Sequence, residues 1–505
     1  MCHPERPRPS YPAAAQQGAG ERRRAEKTDL VRGILSVGRI DDLSRSRQGL
    51  VIGLTAAGVG GIGGYDISNV AGALLSITDG FHLSTHQQEL VTTALVIGQI
   101  IGATGAGPLA NAVGRKKSLT VATAAYAALA LLASLSPSLP MLLAARLLMG
   151  VTIGVLIVVA PVFVAESTPA AIRGSLLVAY QVAVVVGIIL GYLAAYVLAG
   201  SYGWRWMLAL AAIPALLATL LLRRLPDTAR WYMLKGRSAD ARRALQLVEP
   251  DRDVETELDE INRALREESG GVVGEMLHRP FLRATVFLVG LGFFLQITGI
   301  NAIISYGPRL FEKIGFSGHS ALLLLPALIQ VAALAAVLVS LILVDRLGRR
   351  PILLTGIATM IVADALLIAV FTVGSGSHAA LTVLGFIGVL MFVVGFTFGF
   401  GALVSVYAGE SMPSRLRSLG SGVMLTAALV GNAIVAFAFL SMLDFLGGAG
   451  TFAVFGVLAL VSFAFTYRLA PETKGRQLED IRHFWENGGR WPDELPTAAT
   501  SPSCL

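Results

Sequence analysis

Charge is scarce in this sequence: 14% of its 505 residues are Asp, Glu, Lys or Arg, where a water-soluble domain carries roughly 25%. That deficit excludes a fold with a fully solvated outer shell. Cysteine is nearly absent. Cys2 and Cys504 stand at the two extremes of the chain, so neither a disulfide framework nor a thiolate metal site is expected. The seven histidines fall by sequence in tails or loops, which leaves no histidine proton relay within the apolar segments. No nucleophile with a positioned base, no metal-ligand spacing and no phosphate-binding glycine loop occurs. Enzymatic function is therefore not expected, and neither is a cofactor or a metal.

What the chain has instead is apolar length. It is 54% hydrophobic, with a mean hydropathy of +0.68. A helix of about 20 apolar residues spans a bilayer, because hydrocarbon offers the backbone no hydrogen-bond partner outside its own segment. Twelve such runs lie near 48–77, 91–112, 118–136, 140–164, 174–199, 205–223, 282–312, 320–344, 351–374, 380–408, 418–443 and 450–469. Glycine is abundant, at 55 residues, and small residues let membrane helices approach closely.

The net charge of +7 is unevenly placed. Arg115, Lys116 and Lys117 follow the second run, Arg173 the fourth, Arg346, Arg349 and Arg350 the eighth, and Arg415 and Arg417 the tenth, while the connections after runs one, three, nine and eleven carry no Lys or Arg. Basic loops stay in the cytoplasm, so both termini are expected there, in a multi-pass protein of the plasma membrane. Residues 1–47 are rich in Arg and Pro without an apolar core, the pattern of a disordered cytoplasmic tail and not of a cleaved signal peptide. Beside a membrane span such a tail meets anionic lipid, so the bilayer is the expected partner and nucleic acid is not.

The polar stretch 224–280 separates six runs from six. It divides the chain into a first bundle (48–223), a helical linker (224–280), a second bundle (281–470) and a cytoplasmic C-terminal tail (471–505). Three patterns recur across the linker. Gly114-Arg115 returns 234 positions later as Gly348-Arg349, Glu166 with Arg173 returns 244 later as Glu410 with Arg417, and Pro226-Asp-Thr returns 245 later as Pro471-Glu-Thr. Basic loops alone would account for Arg115 but not for an acid and a base kept seven apart in both halves. A six-plus-six repeat is the layout of transporters whose two bundles rock around a site near the bilayer midplane.

The motifs identify a family. They are Gly63-Gly-Tyr-Asp66, the basic loops at Gly114 and Gly348, Glu166-x-x-Pro-x-x-x-Arg173-Gly174, Gly203-Trp-Arg-Trp206, Pro226-Asp-Thr-Ala-Arg-Trp231, Gln296-Ile-Thr-Gly-Ile-Asn301 and Pro471-Glu-Thr-Lys-Gly475. On these residues the chain resembles the sugar porters of the major facilitator superfamily over about residues 48–480. The resemblance implies an all-α membrane protein of the major facilitator fold, with twelve transmembrane helices in two pseudo-symmetric six-helix bundles and cytoplasmic linker helices. It further implies a monomer that carries a small polar solute, a sugar or polyol, by alternating access.

In that family an acid at the Asp66 position pairs with a base at the Arg146 position, and protonation of the acid releases the base. Passive facilitators of the family generally carry a neutral residue at the Asp66 position, so its acidity here implies protons as the second partner. A carboxylate within a span costs at least ~2.5–3.5 kcal/mol, so it persists where a partner compensates it. A neighbouring Arg favours its ionised form and exclusion of water its neutral one, which lets proton affinity follow conformation. Arg115, Glu166, Arg173, Asp345, Arg349, Glu410 and Arg417 resemble the cytoplasmic gate that clasps the two halves when the protein opens outward. Asn111 stands where the first loop motif usually has Asp.

For the solute, the resemblance implies Gln181, Gln296, Asn301, Tyr306, Ser405 and Asn432, with Tyr407 as an alternative polar group. Other expected polar or aromatic positions have been lost, to Leu295, Ser305, Ala333, Ala428 and Leu429, and Ser405 replaces a Trp. Each lost hydrogen bond forfeits roughly 0.5–1.5 kcal/mol, which argues against an ordinary hexose. The alternative is an exporter or facilitator of a less polar metabolite, although the fifth run lacks the Gly-Pro of drug–proton antiporters. Phe392, Phe396, Phe398 and Phe400 are expected to serve helix packing before lining a cavity, and Asp364 a polar contact between neighbouring helices.

Overall fold

The computed structural model describes residues 47–491 apart from 169, 199–202, 249–252, 269–272, 279–280, 375–378, 477 and 488–490. The tail expected to be disordered lies outside the described residues, as does the end of the chain after Trp491. Every regular element among the described residues is helical. Among the described residues, eleven helices are long and apolar enough to cross a bilayer. In chain order with the long first helix they form twelve spans: α1 (Arg47–Phe81), α2 (Thr85–Val113), α3 (Arg115–Ser134), α4 (Leu139–Ser167), α5 (Ala170–Leu198), α6 (Gly203–Arg223), α7 (Leu282–Ser305), α8 (His319–Leu347), α9 (Arg349–Val373), α10 (Ala379–Glu410), α11 (Ser414–Phe445) and α12 (Gly447–Leu469). Their outward faces carry large apolar side chains such as Val121, Val197 and Phe445, as acyl chains require of a surface they must cover.

Neighbouring spans meet where side chains are smallest. A Cβ on Gly98 of α2 would lie 2.0 Å from the Leu147 carbonyl oxygen, and one on Gly150 of α4 2.0 Å from that of Leu95, so the two backbones touch directly. Two spans are irregular. In α7 the helix breaks after Ile297 and restarts at Ile300, with Gly299 at φ +102°, a conformation open at little cost to glycine alone. In α10 a π-helical turn covers Thr397–Gly401, and such turns collect at functional sites.

Four short helices lie between the bundles, Ala229–Leu234, Ser238–Val248, Val254–Glu268 and Val273–Met276, and a fifth, Leu478–Glu486, follows the last span. Ala229, Ala241, Ala244 and Leu258 bury a small apolar cluster of their own. Asp253, just ahead of Val254–Glu268, accepts from the Thr256 hydroxyl (2.7 Å) and the Glu255 N–H (3.1 Å). Those bonds hold its carboxyl below the usual range. With an even number of spans, both ends of the helical region and the linker share one side, here the linker side; the 82–84 connection marks the far side.

Candidate functional site

The first bundle buries a full ion pair. Asp66 of α1, Tyr126 of α3 and Arg146 of α4 are each no more than 1% exposed. Arg146 Nη1 donates to both carboxylate oxygens of Asp66 at 3.0 Å, and the Tyr126 hydroxyl donates to Oδ1 at 2.8 Å. Three spans thus converge on one carboxylate, while Arg146 Nε has no partner among the described residues. One turn along α1, Asn69 Nδ2 donates to the Met207 carbonyl at 2.8 Å, which ties α1 to α6. Burial of this kind leaves the carboxylate dependent on these few fixed donors, so the pair ties the positions of α1, α3 and α4 together.

On the linker side the three repeated motifs fold onto each other within each bundle. Asp227 Oδ1 accepts from the N–H groups of Arg115 (3.0 Å) and Lys116 (3.3 Å), capping α3. Glu472 does the same for α9, accepting from the N–H groups of Arg349 (3.0 Å) and Arg350 (3.1 Å). An anion at a helix N-terminus satisfies backbone donors and meets the positive end of the helix dipole. Gly114 and Gly348 sit at φ +107° and +98°, and a Cβ there would lie 2.1 Å from Asp227 Oδ2 and 2.6 Å from Glu472 Oε2.

Beside each cap stands a carboxylate. Glu166 accepts from Arg115 Nε at 3.0 Å and from the Thr228 hydroxyl at 2.7 Å, with Arg230 at 3.7 Å. Glu410 lies 3.8 Å from Arg349, which also meets Asp345 at 3.2 Å. These described partners stay within their own half. Arg417 Nε has no partner among the described residues, and the side chain of Arg173 lies outside them.

The bundles do join on the far side. Thr85 Oγ1 of α2 donates to Asp444 Oδ2 of α11 at 2.8 Å. Ser441 donates its N–H and its hydroxyl to the two oxygens of Glu89, both at 2.7 Å. Deeper in, the Tyr192 hydroxyl of α5 donates to the Ile304 carbonyl of α7. The structure is therefore latched on the far side, where its described cross-bundle hydrogen bonds lie.

A family model described as "Sugar (and other) transporter" matches residues 52–485. The chain belongs to that transporter family. It is 34% identical over 431 residues to the galactose-proton symporter of Escherichia coli strain K12, covering 84% of this chain and 92% of that protein. It is 31% identical over 466 residues to polyol transporter 5 of Arabidopsis thaliana, covering 87% and 86%. Among solved structures, the inward open conformation of the xylose transporter XylE from E. coli superimposes with a TM-score of 0.73 at 25% identity, covering 86% of this chain and 99% of that one. The fold is that of the major facilitator superfamily.

In this transporter the polar side chains singled out for a solute are unevenly available. Asn301 Nδ2 donates to Gln296 Oε1 at 2.8 Å, so the broken α7 holds an amide pair. Gln181 and Ser405 are exposed, and Asn432 is buried. Tyr306 is wholly buried, stacked 5.6 Å from Phe439 with its hydroxyl given to the Ala436 carbonyl at 2.7 Å, so that hydroxyl is engaged. Tyr407 points elsewhere, donating to the Pro471 carbonyl at 3.1 Å on the linker side. Phe392 and Phe400 are core residues. Asp364 is 1% exposed with neither carboxylate oxygen bonded to a described residue, so the expected polar contact is not seen there.

Sequence reasoning missed Tyr126, Glu89 and the two capping acids. The Asp227 and Glu472 roles could have been read from the repeat, since each sits in the motif that recurs with the basic loop. Tyr126 and Glu89 carry no local signal, because their partners are distant in sequence.

Proposed function

We propose that this chain is a proton-coupled symporter that brings a sugar, polyol or similar small polar solute across the plasma membrane by alternating access. The observation that carries the reading is the sealed Asp66, held by Arg146 and the Tyr126 hydroxyl inside the first bundle. Neutralising Asp66 removes the counter-charge of Arg146, so a proton and the arrangement of α1 and α4 are linked. The named symport of galactose, arabinose and xylose by similar proteins supports the assignment.

The linker side, which collects Arg115, Lys116, Lys117, Arg346, Arg349, Arg350, Arg415 and Arg417, is the cytoplasmic one, with both termini on it. The conformation is then inward-facing. Glu166, Asp345 and Glu410, with Arg115, Arg173, Arg349 and Arg417, form the cytoplasmic gate, whose acids and bases exchange partners across the halves when the protein opens outward. Gln181, Gln296, Asn301, Ser405 and Asn432 face the solute, with Tyr306 as a wall. The working unit is the monomer.

The test is proteoliposome transport with an internal pH dye, across hexoses, pentoses, inositol and other polyols. Solute-driven external alkalinisation by the wild type, with Asp66→Asn retaining solute exchange but losing uphill accumulation, is the expected result. An Asp66→Asn protein that still concentrates solute sinks the coupling assignment. Silence across the panel favours the second reading, export or facilitation of a less polar metabolite, which the apolar Leu295, Ala333, Ala428 and Leu429 support.

A further inference from the structure

The far-side seam holds a carboxylate that none of the motifs accounts for. Glu89 lies in the second turn of α2 and is wholly buried. Both of its close donors belong to one residue of the other bundle, Ser441, whose N–H and hydroxyl reach Oε1 and Oε2 at 2.7 Å. From its own span the His86 ring lies 3.5 Å from Oε2, while Asp444 of α11 is already engaged by Thr85 and by Lys313 at 3.1 Å. The contact is one of three rungs between α2 and α11. The others are Thr85 with Asp444 and the His86 ring set edge-on to Phe437 at 5.0 Å.

A carboxylate buried in a span must be compensated, and here the compensation comes from the bundle that has to swing away when the far side opens. Opening the far side would carry Ser441 away and leave the carboxylate to water, so the two short bonds belong to the closed far side.

Resting on the alternating-access reading above, we propose that Glu89 is the positioning residue of the outer gate: its carboxylate latches α2 to α11 through Ser441 in the inward-facing state and is released to the external solution on outward opening. The two bonds then set the balance between the facing states.

The test uses the full-length protein in cells, with Cys2 and Cys504 replaced by Ser and a reporter Thr92→Cys. Thr92 is buried one turn below Glu89. The rate at which an external, membrane-impermeant thiosulfonate modifies this cysteine reads outer opening without solute or proton gradient. Glu89→Ala should raise the rate roughly tenfold, the scale of one lost charge-assisted hydrogen bond. Glu89→Gln, which keeps an acceptor but not the charge, should fall between, and Glu89→Ala with Ser441→Ala should be no faster than Glu89→Ala alone. A rate unchanged in both Glu89 variants overturns the latch, as does full additivity with Ser441→Ala. If Glu89→Ala fails to reach the membrane, Glu89→Gln alone decides. Either outcome leaves the Asp66→Asn transport result untouched, so the latch and the symport reading fail separately.

Discussion

Asp66 and Arg146 place two opposite full charges where neither meets water. Removing one partner of a buried pair strands the other at about 3–5 kcal/mol, whereas replacing both by apolar groups of similar volume is often neutral. Arg146→Met should therefore lower the melting temperature in detergent, and Asp66→Leu with Arg146→Met should restore it while solute accumulation stays abolished. A double variant as unstable as Arg146→Met alone would mean that the pair's own geometry stabilises the bundle. At the proposed solute site, Gln181→Ala should weaken solute binding about tenfold, as expected for one or two lost hydrogen bonds; unchanged affinity by equilibrium binding would place the solute elsewhere. Asp66 and Arg146 were legible because charges within apolar runs are costly and therefore conspicuous. Tyr126 was not, since a tyrosine in a span looks like packing until its hydroxyl is seen on Asp66 Oδ1.

The spans themselves follow from composition, because apolar length dictates a helix wherever the backbone must satisfy itself. The interruptions do not. The break at Gly299 and the π-helical turn at Thr397–Gly401 change hydrogen-bond phase without changing hydropathy, so a run expected at 282–312 became a broken α7 followed by a separate helix, Gly307–Ile314. The repeated motifs were legible as repeats but not as caps. Asp227→Ala and Glu472→Ala should each cost about 0.5–2 kcal/mol by leaving backbone donors at an N-terminus unanswered, and their effects should add, since independent, distant sites do so to within about 0.5 kcal/mol. Gly114→Ala should cost more than Asp227→Ala, because it adds backbone strain at φ +107° to a clash with the cap itself. Thermal melts of the three single variants and the double would show it, and a Gly114→Ala protein as stable as wild type would contradict the cap geometry.

At the scale of the molecule, the repeat made the two bundles visible but was silent about which way they face. Hydropathy is the same in every state of a rocking machine; only contacts between bundles differ. The rungs Thr85–Asp444 and Glu89–Ser441 and the Tyr192–Ile304 bond all lie on the far side, while the described partners of the linker-side acids stay at home. An obligatory change of facing then predicts that freezing the far side stops every mode of transport, exchange included. With Cys2 and Cys504 replaced, Thr85→Cys and Asp444→Cys joined by a short bifunctional thiol reagent should cross-link in the resting protein and abolish both net uptake and exchange, and cleavage of a reducible linker should restore them. Asp66→Asn, by contrast, is expected to spare exchange, so the pair of results separates a blocked gate from a lost proton. Cross-linked protein that still exchanges solute would mean that the bundles need not part at this seam for the solute to pass.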